Sequence, residues 1–137
     1  MIRFAAILAM TLATVTLSAH ADKTCLVSKF QYYNKGGYIA KNFTIRNKTS
    51  DDNRGGNAGL SEVKTLVIKE QAGIKEGDAV WLEYVIADGL EEYISCKKEG
   101  TTLVFDSARG ITWNYKSKGT TMDGNRCRFG ENECIKP

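Results

Sequence analysis

Short apolar runs, rich in β-branched and aromatic residues, recur along the chain from residue 27 onward. In residues 111–116 the odd positions are apolar and the even positions are polar. A period of two is typical of a strand with one buried face and one wet face. Seven runs of this kind are predicted to form strands, at residues 27–33, 38–47, 63–69, 79–87, 90–97, 102–106 and 111–116.

Turn residues separate these runs. Glycine, asparagine and aspartate occur at 34–37, 75–78, 88–89, 99–100, 109–110 and 123–125, and residues of these types tolerate positive φ. Several of them fall at the spacing of a sandwich or barrel, and no stretch with a helical period competes. The pattern therefore predicts an all-β fold, a small antiparallel β-sandwich or open barrel of about seven or eight strands.

The strongest hairpin signal is Asp88-Gly89, which supplies the two positive-φ positions of a type I′ turn. A two-residue loop places Tyr84 opposite Tyr93 and Trp81 opposite Cys96. The strand at 79–87 is largely apolar on both faces, which predicts a central position in the sheet.

The first residues resemble an export signal. Arg3 precedes an apolar run at 4–17, and Ala19-His20-Ala21 matches an A-x-A cleavage site. The run is shorter than the roughly 20 residues that span a bilayer. We expect a cleaved signal peptide at 1–21, a single exported domain at 22–137, no transmembrane anchor in the mature form, and an extracellular or periplasmic location.

Cleavage would change the chemistry of the chain. Removing Arg3 reduces 19 basic residues to 18 against 16 acidic ones, so the formal charge falls from +3 to +2. This near neutrality argues against nucleic-acid binding. The sole histidine of the sequence, His20, is also removed, which excludes imidazole-based catalysis and histidine-based zinc sites as ordinary designs.

Four cysteines remain, Cys25, Cys96, Cys127 and Cys134, and none is part of a C-x-x-C pair. An even number in an exported chain predicts two structural disulfides rather than free thiols or a metal site. Three connectivities are possible. Because domain termini often lie close together, we favour Cys25–Cys134 with Cys96–Cys127.

The segment from Asp51 to Glu62 matches part of a twelve-residue calcium loop. It places Asp51 first, Asn53 third, Gly56 sixth and Glu62 twelfth. Gly55 removes the side-chain oxygen of the fifth position, and the flanking sequence predicts strands where an EF-hand has helices. We favour a solvated polar loop, with calcium as the alternative, and expect no other cofactor.

The predicted hairpin register places Glu83 and Glu92 as diagonal neighbours on one face, beside Trp81. A carboxylate pair next to an indole suits a sugar, because glycosidase carboxyl pairs lie roughly 5–9.5 Å apart and an aromatic face stacks on a pyranose. The favoured alternative is that one glutamate reaches solvent and the other meets a lysine or arginine across the sheet.

Six lysines and arginines near the aromatic residues Trp113 and Tyr115 suggest a further binding surface. If Trp113 and Tyr115 are exposed, their rings form a stacking surface beside these positive charges. The favoured alternative places both aromatic side chains in the core and leaves the lysines and arginines as solubilising charges. The cations are Lys97, Lys98, Lys116, Lys118, Arg126 and Arg128.

These observations favour a non-enzymatic binding or interaction protein, resembling an inhibitor or effector, with an unidentified protein or glycan partner. Its recognition surface is expected on the loop at 49–61 or on the face formed by Trp81, Glu83 and Glu92. Two alternatives stay open. One is a carboxylate-based hydrolase or sugar-binding module, and the other is a membrane-active protein, which needs an exposed aromatic patch.

Overall fold

Eight strands and one 3-10 turn make up the secondary structure in the computed structural model, which describes residues 22–49, 62–87, 93–118 and 126–137. Within these ranges there is no α-helix, so the all-β prediction is confirmed. The predicted signal peptide and the Asp88-Gly89 turn lie outside them. The strands are β1 (Lys23–Asn34), β2 (Ile39–Arg46), β3 (Val63–Val67), β4 (Ala79–Ala87), β5 (Tyr93–Ser95), β6 (Thr101–Phe105), β7 (Ile111–Lys118) and β8 (Arg126–Phe129), with the 3-10 turn at Ile68–Glu70.

The strands form one open mixed sheet with the order β2-β4-β6-β1-β7-β8, in which β3 also pairs with β1 and β5 with β4. The long strand β1 is central and runs parallel to β6 and β7, whereas we expected every pair to be antiparallel. Alternation reports which face of a strand is buried, but it carries no information about the direction of the neighbouring strand.

Strand β4 pairs with three other strands. Its first two residues pair with β6, and Glu83 to Val85 pair with β5 along the same edge, while β2 covers the opposite edge. The sheet curls far enough for β5 to contact β8, and the disulfide Cys96–Cys127 spans this contact. The fold therefore has a seam, closed by a covalent bond, where β4 exchanges one neighbour for another.

Both disulfides have the favoured connectivity. Cys25–Cys134 ties β1 to the C-terminal segment with a Cα–Cα distance of 4.9 Å. Next to it, the backbone N–H of Leu26 donates to the carbonyl of Ile135 at 2.8 Å. The two ends of the described domain are thus joined by a covalent bond and a hydrogen bond.

The register of β4 with β5 is one residue away from the prediction. Tyr84 lies opposite Ile94 and Val85 opposite Tyr93. Ile94 is buried, whereas the Tyr93 side chain is 74% exposed. The prediction was made from loop length alone, and a slip of one residue exchanges the two faces of a strand. Burial of Ile94 in the core is the physical consequence of the observed register.

A single cluster of buried side chains fills the interior. At one end the ring of Tyr32 lies 4.8 Å from Phe43 and 4.9 Å from Tyr84 between centroids. Burial raises the pKa of Tyr32 and of Tyr84 well above the usual range, so both stay neutral. Trp113 and Tyr115 are also buried, which confirms the favoured interpretation that they belong to the core.

The connection between β6 and β7 passes from one edge of β1 to the other. These two strands flank β1, and residues 106–110 cross it at Val27 and Ser28. The backbone N–H of Asp106 donates to the carbonyl of Val27 at 3.0 Å. A Cβ at Gly110 would overlap the backbone of Val27 and would lie 2.6 Å from the nitrogen of Ser28. The crossing therefore requires glycine.

We expect Gly110→Ala to lower the free energy of unfolding by about 2–3 kcal/mol, because the new methyl group meets backbone atoms that cannot rotate away. Gly100→Ala is the matched control: its φ of +79° strains an alanine but nothing lies within 4 Å of the added Cβ, so it should cost about 1 kcal/mol. Urea unfolding measures both variants, and equal losses would contradict the crossing contact.

The carboxylate of Asp106 organises the same connection. It accepts hydrogen bonds from the backbone N–H of Ala108 at 3.0 Å and of Arg109 at 2.7 Å, and it pairs with the Arg109 guanidinium at 3.0 Å. The backbone hydrogen bond from Arg109 is the main cause that lowers the pKa of Asp106. The ionised carboxylate is therefore the form that the fold prefers.

Because the fold prefers ionised Asp106, the stabilising contribution of this residue should be lost in acid. A carboxylate with a lowered pKa in the folded state stabilises the fold above its unfolded pKa of about 3.9, and that contribution disappears as the pH falls through the folded value. Asp106→Asn should therefore be less stable than the wild type at pH 7, and the difference should vanish near pH 2. Urea midpoints at pH 7, 4 and 2 test this, and a difference independent of pH would count against it.

Candidate functional site

A cavity of about 260 Å³ opens at the seam where β4 changes neighbours. Its floor is formed by Val80, Leu103, Tyr115 and Phe129, its wall includes Trp81, and its rim carries Lys48, Lys97 and Lys98. We call this the seam cavity. It combines an apolar interior with a small number of charged groups at the mouth, which is the usual composition of a small-molecule site.

The floor of the seam cavity comes from two distant strand pairs. Val80 lies opposite Leu103 in the β4–β6 pair, and Tyr115 lies opposite Phe129 in the β7–β8 pair. Curling of the sheet brings these pairs together. Burial raises the pKa of Tyr115 above its usual range, so its hydroxyl stays neutral and the floor carries no charge. That hydroxyl is buried without a hydrogen-bond partner among the described residues.

Two of the rim lysines lie over aromatic rings. The Nζ of Lys97 is 4.6 Å from the centroid of Trp81, and the Nζ of Lys98 is 4.9 Å from that of Phe129. A cation over a ring face is attracted by about 0.5–1 kcal/mol at exposed sites. Among the described residues neither ammonium pairs with a carboxylate, so the rim keeps its positive charge.

The disulfide Cys96–Cys127 fixes the positions of this rim. Lys97 and Lys98 directly follow Cys96 in the sequence, and Phe129 lies two residues after Cys127. The two Cα atoms are 5.1 Å apart, so both segments are held against each other without relying on β-ladder hydrogen bonds between β5 and β8. The cavity mouth is therefore pre-formed by a covalent link.

The residues predicted to form a binding face are divided by the structure. Trp81 lies in the wall of the seam cavity. Glu83 instead borders a separate cleft of about 110 Å³, where its carboxylate pairs with the guanidinium of Arg46 on β2. A glutamate that meets an arginine across the sheet was the favoured expectation. Glu92 lies outside the described residues, so its pairing with Glu83 stays a prediction, although the register from which it is predicted is shifted by one residue.

The predicted calcium loop receives no test here. Asp51 and Asn53 lie outside the described residues. Glu62 precedes β3, is exposed, and its backbone carbonyl accepts a hydrogen bond from the N–H of Asn34 at 3.0 Å. In the described ranges no three histidine, cysteine, aspartate or glutamate side chains are grouped to hold a metal ion.

Other depressions in the described surface are shallower. One of about 310 Å³ runs beside Tyr33, Val63 and Glu131, and one of about 500 Å³ lies between the chain ends at Lys23 and Lys136. Both are more open to solvent than the seam cavity, so they offer a ligand less contact.

Sequence reasoning identified part of the seam cavity. It grouped Lys97, Lys98 and Tyr115 as a possible cation and aromatic surface, but it missed Lys48, Leu103 and Phe129. A usable signal was present: the favoured Cys96–Cys127 pairing places Cys96-Lys97-Lys98 beside Cys127-Arg128-Phe129. Lys48 and Leu103 had no such signal, because only the curling of the sheet brings them close.

Within the described residues no helix has the length and apolarity to cross a membrane. Two disulfides are typical of proteins in oxidising compartments. No protein-family model, curated protein sequence or solved structure matches this chain.

Proposed function

We propose that this chain is an exported, non-enzymatic binding protein that holds a small ligand with an apolar body in the seam cavity. The observation that carries the proposal is the cavity itself: about 260 Å³ with an aromatic and aliphatic floor and a disulfide across its mouth. Ligand pockets are usually largely pre-formed and lined by apolar and aromatic side chains.

The size of the cavity limits the ligand. Pockets for drug-sized molecules span about 300–1,000 Å³, and the seam cavity lies just below that range. A single aromatic ring system or a short acyl chain suits this volume. A polysaccharide chain does not, which favours a small-molecule binder over the alternative of a carbohydrate hydrolase.

The groups around the cavity favour binding over catalysis. Its described lining contains lysine, threonine, aromatic and aliphatic side chains and no carboxylate. The nearby carboxylate of Glu83 is engaged by Arg46 in a different cleft. A glycosidase needs two carboxyl groups across one site, and the described lining supplies neither.

Calorimetric titration with two neutral probes, 1-octanol and 2-naphthol, tests this proposal. We expect at least one of them to bind the wild-type protein. Thr102→Trp should weaken that binding roughly tenfold or more, because Thr102 is exposed and lines the cavity, and the indole would occupy the space of the ligand. Ser107→Trp is the matched control, since Ser107 is exposed on the β6–β7 connection and should leave the affinity unchanged.

Two outcomes would contradict the proposal. One is that neither probe binds the folded wild-type protein. The other is equal affinity of the wild type and Thr102→Trp, which would place the ligand elsewhere. Circular dichroism of each variant establishes that it is folded before the titration is interpreted.

A further inference from the structure

We propose that the natural ligand of the seam cavity is a free small organic anion: an apolar body that lies on the aromatic floor and an acidic head group that contacts the rim lysines. This inference rests on the proposed function and adds the chemical class of the ligand. It follows from the distribution of charge around the cavity.

The charge at the cavity differs from that of the whole chain. The full sequence carries 19 basic and 16 acidic residues, which is close to balance. All three charged residues in the described lining of the cavity are lysines, Lys48, Lys97 and Lys98. A further depression of about 440 Å³ shares Lys97, Lys98 and Phe129 with the seam cavity and adds Arg128 and one carboxylate residue, Glu99. Positive charge is therefore concentrated at this mouth, which is complementary to an anion.

The ammonium groups are positioned without being neutralised. Contacts with the rings of Trp81 and Phe129 hold Lys97 and Lys98 at the rim, and a ring attracts a cation without cancelling its charge. In a structural ion pair, a carboxylate of the protein would occupy the same position. Among the described residues no carboxylate takes that position, so it suits an acidic group of a ligand.

The interior of the cavity disfavours any charged group, whereas the lysines of the rim attract negative charge. Val80, Leu103, Tyr115 and Phe129 form a floor that would desolvate an ionised group at high cost. The acidic group of a ligand must therefore stay at the mouth, where solvent and three lysines are available. This polarity selects an amphiphilic anion over a compact one such as inorganic phosphate.

A head-group series tests the inference. Octanoate, 1-octanol and octylamine have the same number of carbon atoms and carry an anionic, a neutral and a cationic head group at pH 7. We expect octanoate to bind about tenfold more tightly than octanol, since each exposed lysine contributes up to about 1 kcal/mol. Octylamine should bind most weakly, and the preference for octanoate should shrink as salt is raised, because exposed charges are screened.

Charge-removing variants locate the selectivity. Lys97→Gln/Lys98→Gln should reduce the ratio of octanoate to octanol affinity to about twofold. Lys29→Gln/Lys69→Gln is the matched control, because both lysines are exposed and lie outside the cavity lining. It removes the same net charge and should keep the tenfold ratio.

Each result separates this inference from the proposed function. Equal affinity of the wild type for octanoate and octanol overturns the anion and leaves the binding site intact. Failure of all three compounds to bind overturns the inference, and it overturns the proposed function as well if 2-naphthol also fails to bind. A ratio that survives in Lys97→Gln/Lys98→Gln also overturns the inference. Co-sedimentation with phosphatidylglycerol vesicles in the absence of octanoate binding would overturn it too, because the lysines would then serve a membrane surface.

Discussion

Replacement of Cys25 and Cys134 together by alanine is expected to lower the free energy of unfolding by about 4–5 kcal/mol. The bridge joins residues 109 positions apart, and a loop of about 100 residues is worth roughly 4.7 kcal/mol through the entropy of the unfolded chain. A domain of this size has a total stability of about 5–15 kcal/mol. The variant should therefore be close to unfolding at 37 °C.

Denaturant unfolding of the double variant measures this loss directly. Cys25 is fully buried, so part of the effect comes from the cavity that alanine leaves. Cys25→Val/Cys134→Ala fills most of that space and isolates the cross-link. A loss below about 2 kcal/mol in both variants would show that the hydrogen bond between Leu26 and Ile135 and its neighbours hold the termini without the bridge.

Loss of the second bridge should have two effects. Cys96→Ala/Cys127→Ala removes a link between residues 31 positions apart, which corresponds to about 3–4 kcal/mol of stability. It also frees the segment of Lys97 and Lys98 from β8, and we expect the affinity for 2-naphthol to fall roughly tenfold. The bridge would thus act on both the fold and the binding site.

Comparison of the two disulfide variants separates these effects. The Cys25 and Cys134 bridge lies outside the lining of the seam cavity, so its loss should reduce stability while ligand affinity of the remaining folded protein is kept. Both variants are titrated at 10 °C, after circular dichroism has shown that they are folded. Unchanged affinity in Cys96→Ala/Cys127→Ala would mean that strand packing alone shapes the cavity mouth.

Local sequence patterns predicted the features that depend on a single segment. The bounds of β4 agree with the predicted run at 79–87, and Trp113 and Tyr115 of β7 are buried as alternation predicts, while Ile111 at the start of that strand is half-buried. The cysteine pairing was also inferred correctly, because closeness of chain ends is a general property of domains. These inferences needed only the two-residue period of a strand and the tendency of the two ends of a domain to lie close together.

Apart from the disulfide pairing, features that depend on two distant segments were not predicted. Strand β8 has only four residues. Its two arginines alternate with Cys127 and Phe129, but a run this short does not by itself identify a strand, and pairing with β7 stabilises it. At Asn42, a positive φ of 54° accompanies a register shift in β2, and this bulge turns Phe43 into the core. The parallel pairs of β1 and the floor of the seam cavity also arise from partners that no local pattern specifies.

The central claim is that a ligand binds in the seam cavity. Amide and indole chemical-shift mapping of the isotope-labelled protein with octanoate tests it most directly. We predict that the largest shifts cluster at Trp81, Lys97, Lys98, Leu103 and Phe129, with the indole N–H of Trp81 among them. Shifts centred on the cleft of Arg46 and Glu83, or on the depression beside Tyr33 and Glu131, would contradict the account.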